Sequence, residues 1–131
     1  MNVVDLTAHP TIATSEGRWQ PLNTPLGLTA FGANAIELDP GEEIDIEHSE
    51  TDSGQQELFC VIAGRMAVTV NGKTVEAGPG TVIGIPDTGA VRSYRALEAG
   101  TRMLCIGGVP TAENAGVRRV DHDLRPRICR A

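Results

Sequence analysis

Residues 58–76 read Leu-Phe-Cys-Val-Ile-Ala-Gly-Arg-Met-Ala-Val-Thr-Val-Asn-Gly-Lys-Thr-Val-Glu, and the fold class turns on this stretch. Leu58 to Ala63 is apolar on both faces, the pattern of a strand buried between two layers, and Gly64 ends it. Met66 to Val70 and Lys73 to Glu76 then flank Asn71-Gly72. That dipeptide is the strongest short-range hairpin signal, because a type I′ turn needs positive φ at both central positions.

The same grammar continues outward. Ala77-Gly78-Pro79-Gly80 makes a turn, and Thr81 to Ile85, Val91 to Leu97 and Arg102 to Ile106 read as strands. Pro86-Asp87-Thr88-Gly89 and Glu98-Ala99-Gly100 separate them. Upstream, Leu28 to Leu38 is strand-like, Asp39-Pro40-Gly41 turns, and Ile44 and Ile46 alternate with acids as a half-buried strand should. One strand every eight to twelve residues or roughly so is the spacing of a sandwich or closed barrel. The chain has 131 residues, 15 Gly and 8 Pro, enough for one all-β domain punctuated by tight turns. The expected organisation is an N-terminal arm over 1–27 with an edge strand, a barrel over 28–110 and a tail over 111–131. Aromatics are only 3% of the chain, so Val, Ile, Leu and Ala are expected to fill the core.

Charge and cysteine usage narrow the partners. The net charge is −6, and between Ile36 and Glu57 the chain carries nine acids and no Lys or Arg, a surface that repels phosphate backbones. From Glu113 onward five Arg face three acids, without interleaved aromatics or a helical basic stripe. No nucleic-acid partner is expected. Cys60, Cys105 and Cys129 are an odd number without C-x-x-C spacing, and the first two sit in apolar strand patterns, which fits a reduced, cytoplasmic setting. No run approaches about 18 apolar residues and no basic-then-apolar leader opens the chain, so neither a membrane nor a signal peptide is expected.

The chemistry-bearing residues gather just before the apolar strand. His48 and Glu50 are two apart, so on an extended chain their side chains leave the same face, in phase with Ile44 and Ile46 and therefore inward. Glu57 opens the next strand, where it can join them. Imidazole with carboxylates suits Mn, Fe, Ni or Zn. Ser49 adjoins His48 but points to the opposite face, so no Ser-His relay follows. Gly78-Pro79-Gly80 lacks the Lys and helix of a phosphate-binding loop.

The spacing from Gly41 to Gly89 resembles the cupin superfamily, whose first motif runs glycine, H-x-H, Glu and Gly and whose second runs glycine, P-x-G and His. Glu57 and Gly64 match with Leu58 to Ala63 between them, and Gly80 matches with Pro86. The short stretch over 65–79 between the motifs is similar to that of small bacterial cupins. The resemblance implies a jelly-roll β-barrel, the double-stranded β-helix, with a metal or a small molecule inside it. Against the family pattern, His48 comes one residue late, Glu50 replaces the second His, and the turn Pro86 to Gly89 carries an extra residue. The family's last His therefore falls on Arg92 counted from Gly89, or on Val91 counted from Pro86, and neither side chain can ligate a metal. In H-x-E for H-x-H and an Arg after the second motif, the chain resembles a subset of small cupins.

Two readings follow. In one, His48, Glu50 and Glu57 hold one divalent cation, Mn, Fe, Ni or Zn, with open positions for substrate, and Glu50 or Glu57 shuttles protons in an isomerase, cyclase, lyase or oxygenase. In the other, Arg92 fills the vacated position, pairs with Glu50 or Glu57, and with Tyr94 on its own face holds a small polar or carboxylate ligand without metal. A third arrangement, a non-catalytic oligomeric barrel, rests on strand edges that could pair across a two-fold axis, and a homodimer is expected under all three.

Overall fold

The structure is a computed structural model in which residues 1–14, 17–40 and 47–111 are described. The Ile44–Ile46 strand, Gly41, the segment 112–131 and Cys129 with it lie outside those residues. Among the described residues, nine strands and one short helix follow in order: β1 (Ile12–Thr14), β2 (Gly17–Pro21), α1 (Asn23–Leu26), β3 (Gly32–Leu38), β4 (Gln56–Ala63), β5 (Met66–Val70), β6 (Lys73–Ala77), β7 (Val82–Ile85), β8 (Arg92–Ala96) and β9 (Thr101–Gly108). They form a six-stranded sheet ordered β1-β2-β3-β9-β4-β7 and a three-stranded sheet ordered β6-β5-β8. Every pairing is antiparallel.

The hairpin β5-β6 shows why the Asn-Gly signal is reliable. Asn71 and Gly72 have φ of 47° and 76°, the twist a two-residue type I′ connection requires. That turn fixes the register Met66↔Ala77 to Val70↔Lys73, so Met66 and Val68 point inward together. At the end of β4 the chain turns at Gly64 with φ of 70°. A methyl group there would stand 2.7 Å from the Thr101 Cα and closer still to its hydroxyl, so any other residue meets both backbone strain and collision.

Period-2 alternation sends one face of each sheet into a shared core of Ile36, Leu38, Phe59, Val61, Met66, Val68, Tyr94 and Met103. The aliphatics expected there are present, but Phe59 and Tyr94 join the sheets across the core. Their ring centroids are 5.6 Å apart at 68°, an edge-to-face contact worth about 1 kcal/mol beyond burial. Behind the six-stranded sheet, Ala33, Ala35, Leu104 and Ile106 are covered by Val4, Leu6, Leu22 and Leu26 of the N-terminal segment. Among the described residues no helix is long and apolar enough to cross a membrane.

The strand expected from Leu28 begins only at Gly32. Asn23 is the reason: its side-chain amide donates to the carbonyls of Leu28 and Phe31, and its Oδ1 accepts from the Ala33 N–H at 2.6 Å. One side chain thus takes the backbone groups that a ladder would need, and Gly27 closes α1 in the left-handed conformation with φ of 70°.

Candidate functional site

Glu57 sits one residue into β4, in phase with Phe59 and Val61, and alternation turns its carboxylate toward the interior. His48 arrives from the other sheet. Its N–H donates to the Arg92 carbonyl at 3.1 Å and its carbonyl accepts from the Arg92 N–H at 2.9 Å, a bridge that sets the chain at 47–50 alongside β8. The Glu50 N–H donates to the Thr88 carbonyl at 2.9 Å. His48 and Glu50, two residues apart, therefore share a side.

One donor atom from each of His48, Glu50 and Glu57 lies within 4.8 Å of the other two, close enough to grip a single ion. His48 Nε2 stands 3.7 Å from Glu50 Oε1, and the Ser53 hydroxyl donates to Glu50 Oε2, which fixes that carboxylate's orientation. The three face a cavity of about 350 Å³, whose remaining walls include Trp19, Phe59, Tyr94 and Cys105. Three aromatics beside a few convergent polar groups make a lining suited to a small polar molecule. Ser49 is exposed and bonded to Thr51, away from any nucleophilic arrangement.

Arg92 settles the register question left by the extra residue in the second motif. Val91 is 42% exposed and points out, whereas Arg92 is wholly buried. Its Nε lies 2.9 Å from Glu57 Oε2, and Nη1 donates to the carbonyl of Ala90 at 2.7 Å and, at 3.5 Å, to that of Thr88. The turn from Pro86 to Gly89 builds part of this cradle: the Asp87 side chain accepts from the Gly89 N–H, and the Thr88 and Ala90 carbonyls accept from the guanidinium. Arg92 is not among the cavity's lining residues; Glu57 stands between it and the open space.

The pair is close but poorly aligned. Glu57 Oε2, Arg92 Nε and Arg92 Nη2 are all buried without a well-directed hydrogen bond. Their attraction is Coulombic at contact distance, and it does not fully offset burial. Burial pushes the Glu57 carboxyl above the usual range, Arg92 pulls it down, and Glu50 adds to the upward push. Cys105 lies on the same wall, with Sγ 3.9 Å from Glu57 Oε1, and burial followed by the two carboxylates pushes its thiol up to about 12. Glu57 therefore gives Oε2 to Arg92 and turns Oε1 toward Cys105.

The structure brings His48, Glu50 and Glu57 together, places Tyr94 in the cavity wall and sets Arg92 behind Glu57. Sequence patterning marks Cys105 only as a small hydrophobe and Phe59 only as part of an apolar strand. Cys105 carried a signal: two residues beyond Met103 on one strand, it must share that residue's inward face.

The model of the cupin domain family matches residues 34–107. No curated protein sequence matches the chain. Among solved structures, KdgF from Halomonas sp. is similar with a TM-score of 0.66 at 15% identity, covering 83% of this chain and 94% of that one. A Cupin 2 conserved barrel domain protein from Salinispora arenicola is similar with a TM-score of 0.64 at 15% identity, covering 93% and 98%. A cupin-superfamily sugar phosphate isomerase from Silicibacter pomeroyi gives a TM-score of 0.64 at 18% identity, covering 82% and 76%. At these identities the likeness is one of fold, the jelly-roll barrel.

Proposed function

The chain belongs to the cupin domain family, and from that premise we propose that its barrel binds a small polar ligand through one divalent cation held by His48, Glu50 and Glu57. The observation that carries this reading is the convergence of three donors from two separate segments, within 4.8 Å of one another, at the wall of a cavity. The donor set fits such an ion on a second count. Glu57 is a largely buried carboxylate whose charge Arg92 compensates only in part, and a cation is what would complete the compensation. One imidazole with two carboxylates leans toward the harder members of the expected set, Mn or Fe, over Zn or Ni.

When bound, a divalent ion supplies Lewis acidity toward a carbonyl or carboxylate oxygen. The chain's own residues do the rest of the recognition. Trp19, Phe59 and Tyr94 offer apolar walls that exclude water, and Ser53 keeps the Glu50 carboxylate oriented. Arg92 holds Glu57 from behind.

The test is metal content of the purified, untagged protein by elemental mass spectrometry, with titration of Mn²⁺ and Zn²⁺, beside Glu57→Ala. Near-stoichiometric uptake by the wild type that the variant loses is the expected result. A folded wild type that takes up none of Mn, Fe, Ni or Zn would overturn the reading.

A catalytic version draws on Glu57. In that version Glu57 takes the proton in place of ligating the ion: a carboxyl whose burial raises its proton affinity is suited to accept and return a proton at a carbon next to a carbonyl, the step an isomerase needs. A sugar phosphate isomerase is among the similar structures, and at 18% identity it contributes the fold alone. Exchange of deuterium from solvent into a hydroxyketone, catalysed by the wild type and not by Glu57→Gln, would support it.

A further inference from the structure

We infer that Arg92 is a charge-setting and positioning residue that makes the cation-loaded pocket select a singly charged anion, a small carboxylate. The inference rests on the cation site proposed above. It starts from what stands around that site: His48, Glu50 and Glu57 facing the cavity, and one guanidinium buried directly behind Glu57.

A ligating imidazole is neutral and ligating carboxylates are ionised. The two glutamates and Arg92 then leave the site one net negative charge, which a divalent ion turns into one net positive charge. With a neutral side chain at 92 the loaded site would carry none. Arg92 is wholly buried, so water screens this charge little. A monoanion neutralises the loaded pocket; an uncharged molecule leaves it charged, and a dianion inverts it.

Arg92 exerts this effect without touching the ligand. It is absent from the cavity wall, and its contacts are Glu57 and the carbonyls of Thr88 and Ala90. By taking Glu57 Oε2 it leaves the ion only Oε1, the oxygen that also accepts from the Cys105 thiol at 3.9 Å, and so holds Glu57 to a single donor atom. The cross-strand bridge between Arg92 and His48 ties the same residue to a second donor's backbone.

The experiment compares lactate with lactamide, its uncharged isostere, on protein loaded with Mn²⁺ or Zn²⁺. Calorimetry and the fluorescence of Trp19, the chain's one tryptophan and a residue of the cavity wall, report binding. The expected result is that lactate binds the wild type at least about tenfold more tightly than lactamide, because one unit charge a few ångströms away is worth that much at an intermediate dielectric. Arg92→Lys keeps the charge and should keep the preference. Arg92→His should abolish the preference while raising ion affinity about tenfold, since a like charge beside the ion is removed. Equal binding of the two probes by the ion-loaded wild type overturns the inference and leaves the cation site standing, and it needs no variant to fold. A preference that survives in folded Arg92→His overturns it as well. Failure of the wild type to bind either ion removes the cation site and this inference together.

Discussion

Two glutamates each lie beside arginine, and the surroundings push them in opposite directions. Glu37 on β3 accepts from Arg18 on β2 at 3.0 Å and from Arg102 on β9 at 3.2 Å, at the half-exposed outer surface. Those hydrogen bonds hold its carboxyl below the usual range. Glu57 has an arginine nearer still, at 2.9 Å, yet its carboxyl is pushed up. The difference is not distance but solvent and alignment. Outside, water stays on both partners and the bonds are well directed; inside, desolvation outweighs a misaligned contact. A charge pair whose members are fully satisfied is structural, whereas one left short of partners marks a place built for something further.

The comparison is tested most severely by removing the arginines. Arg92→Ala leaves Glu57 in the interior without its partner and should lower unfolding stability in urea by about 3–5 kcal/mol. Arg18→Ala should cost about 1 kcal/mol or less, because Glu37 keeps Arg102 and water. Removing both members of the inner pair, Arg92→Met with Glu57→Leu, should restore most of the loss, since no buried charge then remains. Equal costs for the two single variants would mean that burial does not set Glu57 apart from Glu37.

Cys105 probes the same interior field by a rate. With its thiol pushed from 9.0 to about 12, the thiolate fraction at pH 8 should be about a thousandfold lower than for an ordinary cysteine. Iodoacetamide on the native protein should therefore mark the half-buried Cys60 before Cys105, read by peptide mass spectrometry. Comparable labelling of both would mean that neither burial nor the carboxylates act on Cys105. A smaller effect separates the two glutamates functionally. Glu57→Ala should weaken Mn²⁺ binding about a hundredfold, and Glu37→Ala should leave it unchanged, as calorimetry would show.

Why so much of this was legible follows from which signals are local. Period-2 alternation and the Asn71-Gly72 turn are properties of neighbours in sequence, and the strands from Gln56 to Gly108 follow them closely. His48, Glu50 and Glu57 came from the same parity argument plus motif spacing. Whether Arg92 or Val91 faces inward did not, because an extra residue in Pro86 to Gly89 makes parity ambiguous. The long-range pairing of Arg92 with His48 and the burial of its side chain resolve it. The late start of β3 was hidden for a similar reason. Asn23 reaches across the sequence to the backbone of Leu28, Phe31 and Ala33, and side-chain reach of that kind leaves no period. The arginine's choice of Glu57 over Glu50 likewise depends on how two sheets pack, which spacing along one strand does not encode.

The finest test of the outer network is its response to acid. Because Glu37 has a lowered value in the folded state, its contribution to stability is present above the unfolded carboxylate range and is lost as pH falls through the folded value. Glu37→Gln should accordingly cost about 0.5–1 kcal/mol at pH 7, the range of a half-exposed pair that also makes directed bonds. The cost should shrink toward zero as pH falls below the carboxylate range, where the wild-type side chain is itself neutral. It should shrink with added salt too, since the pair is partly open to solvent. A Glu37→Gln cost that persists unchanged at low pH would mean the side chain contributes by packing and not by charge. The outer glutamate would then differ from Glu57 in more than its access to water.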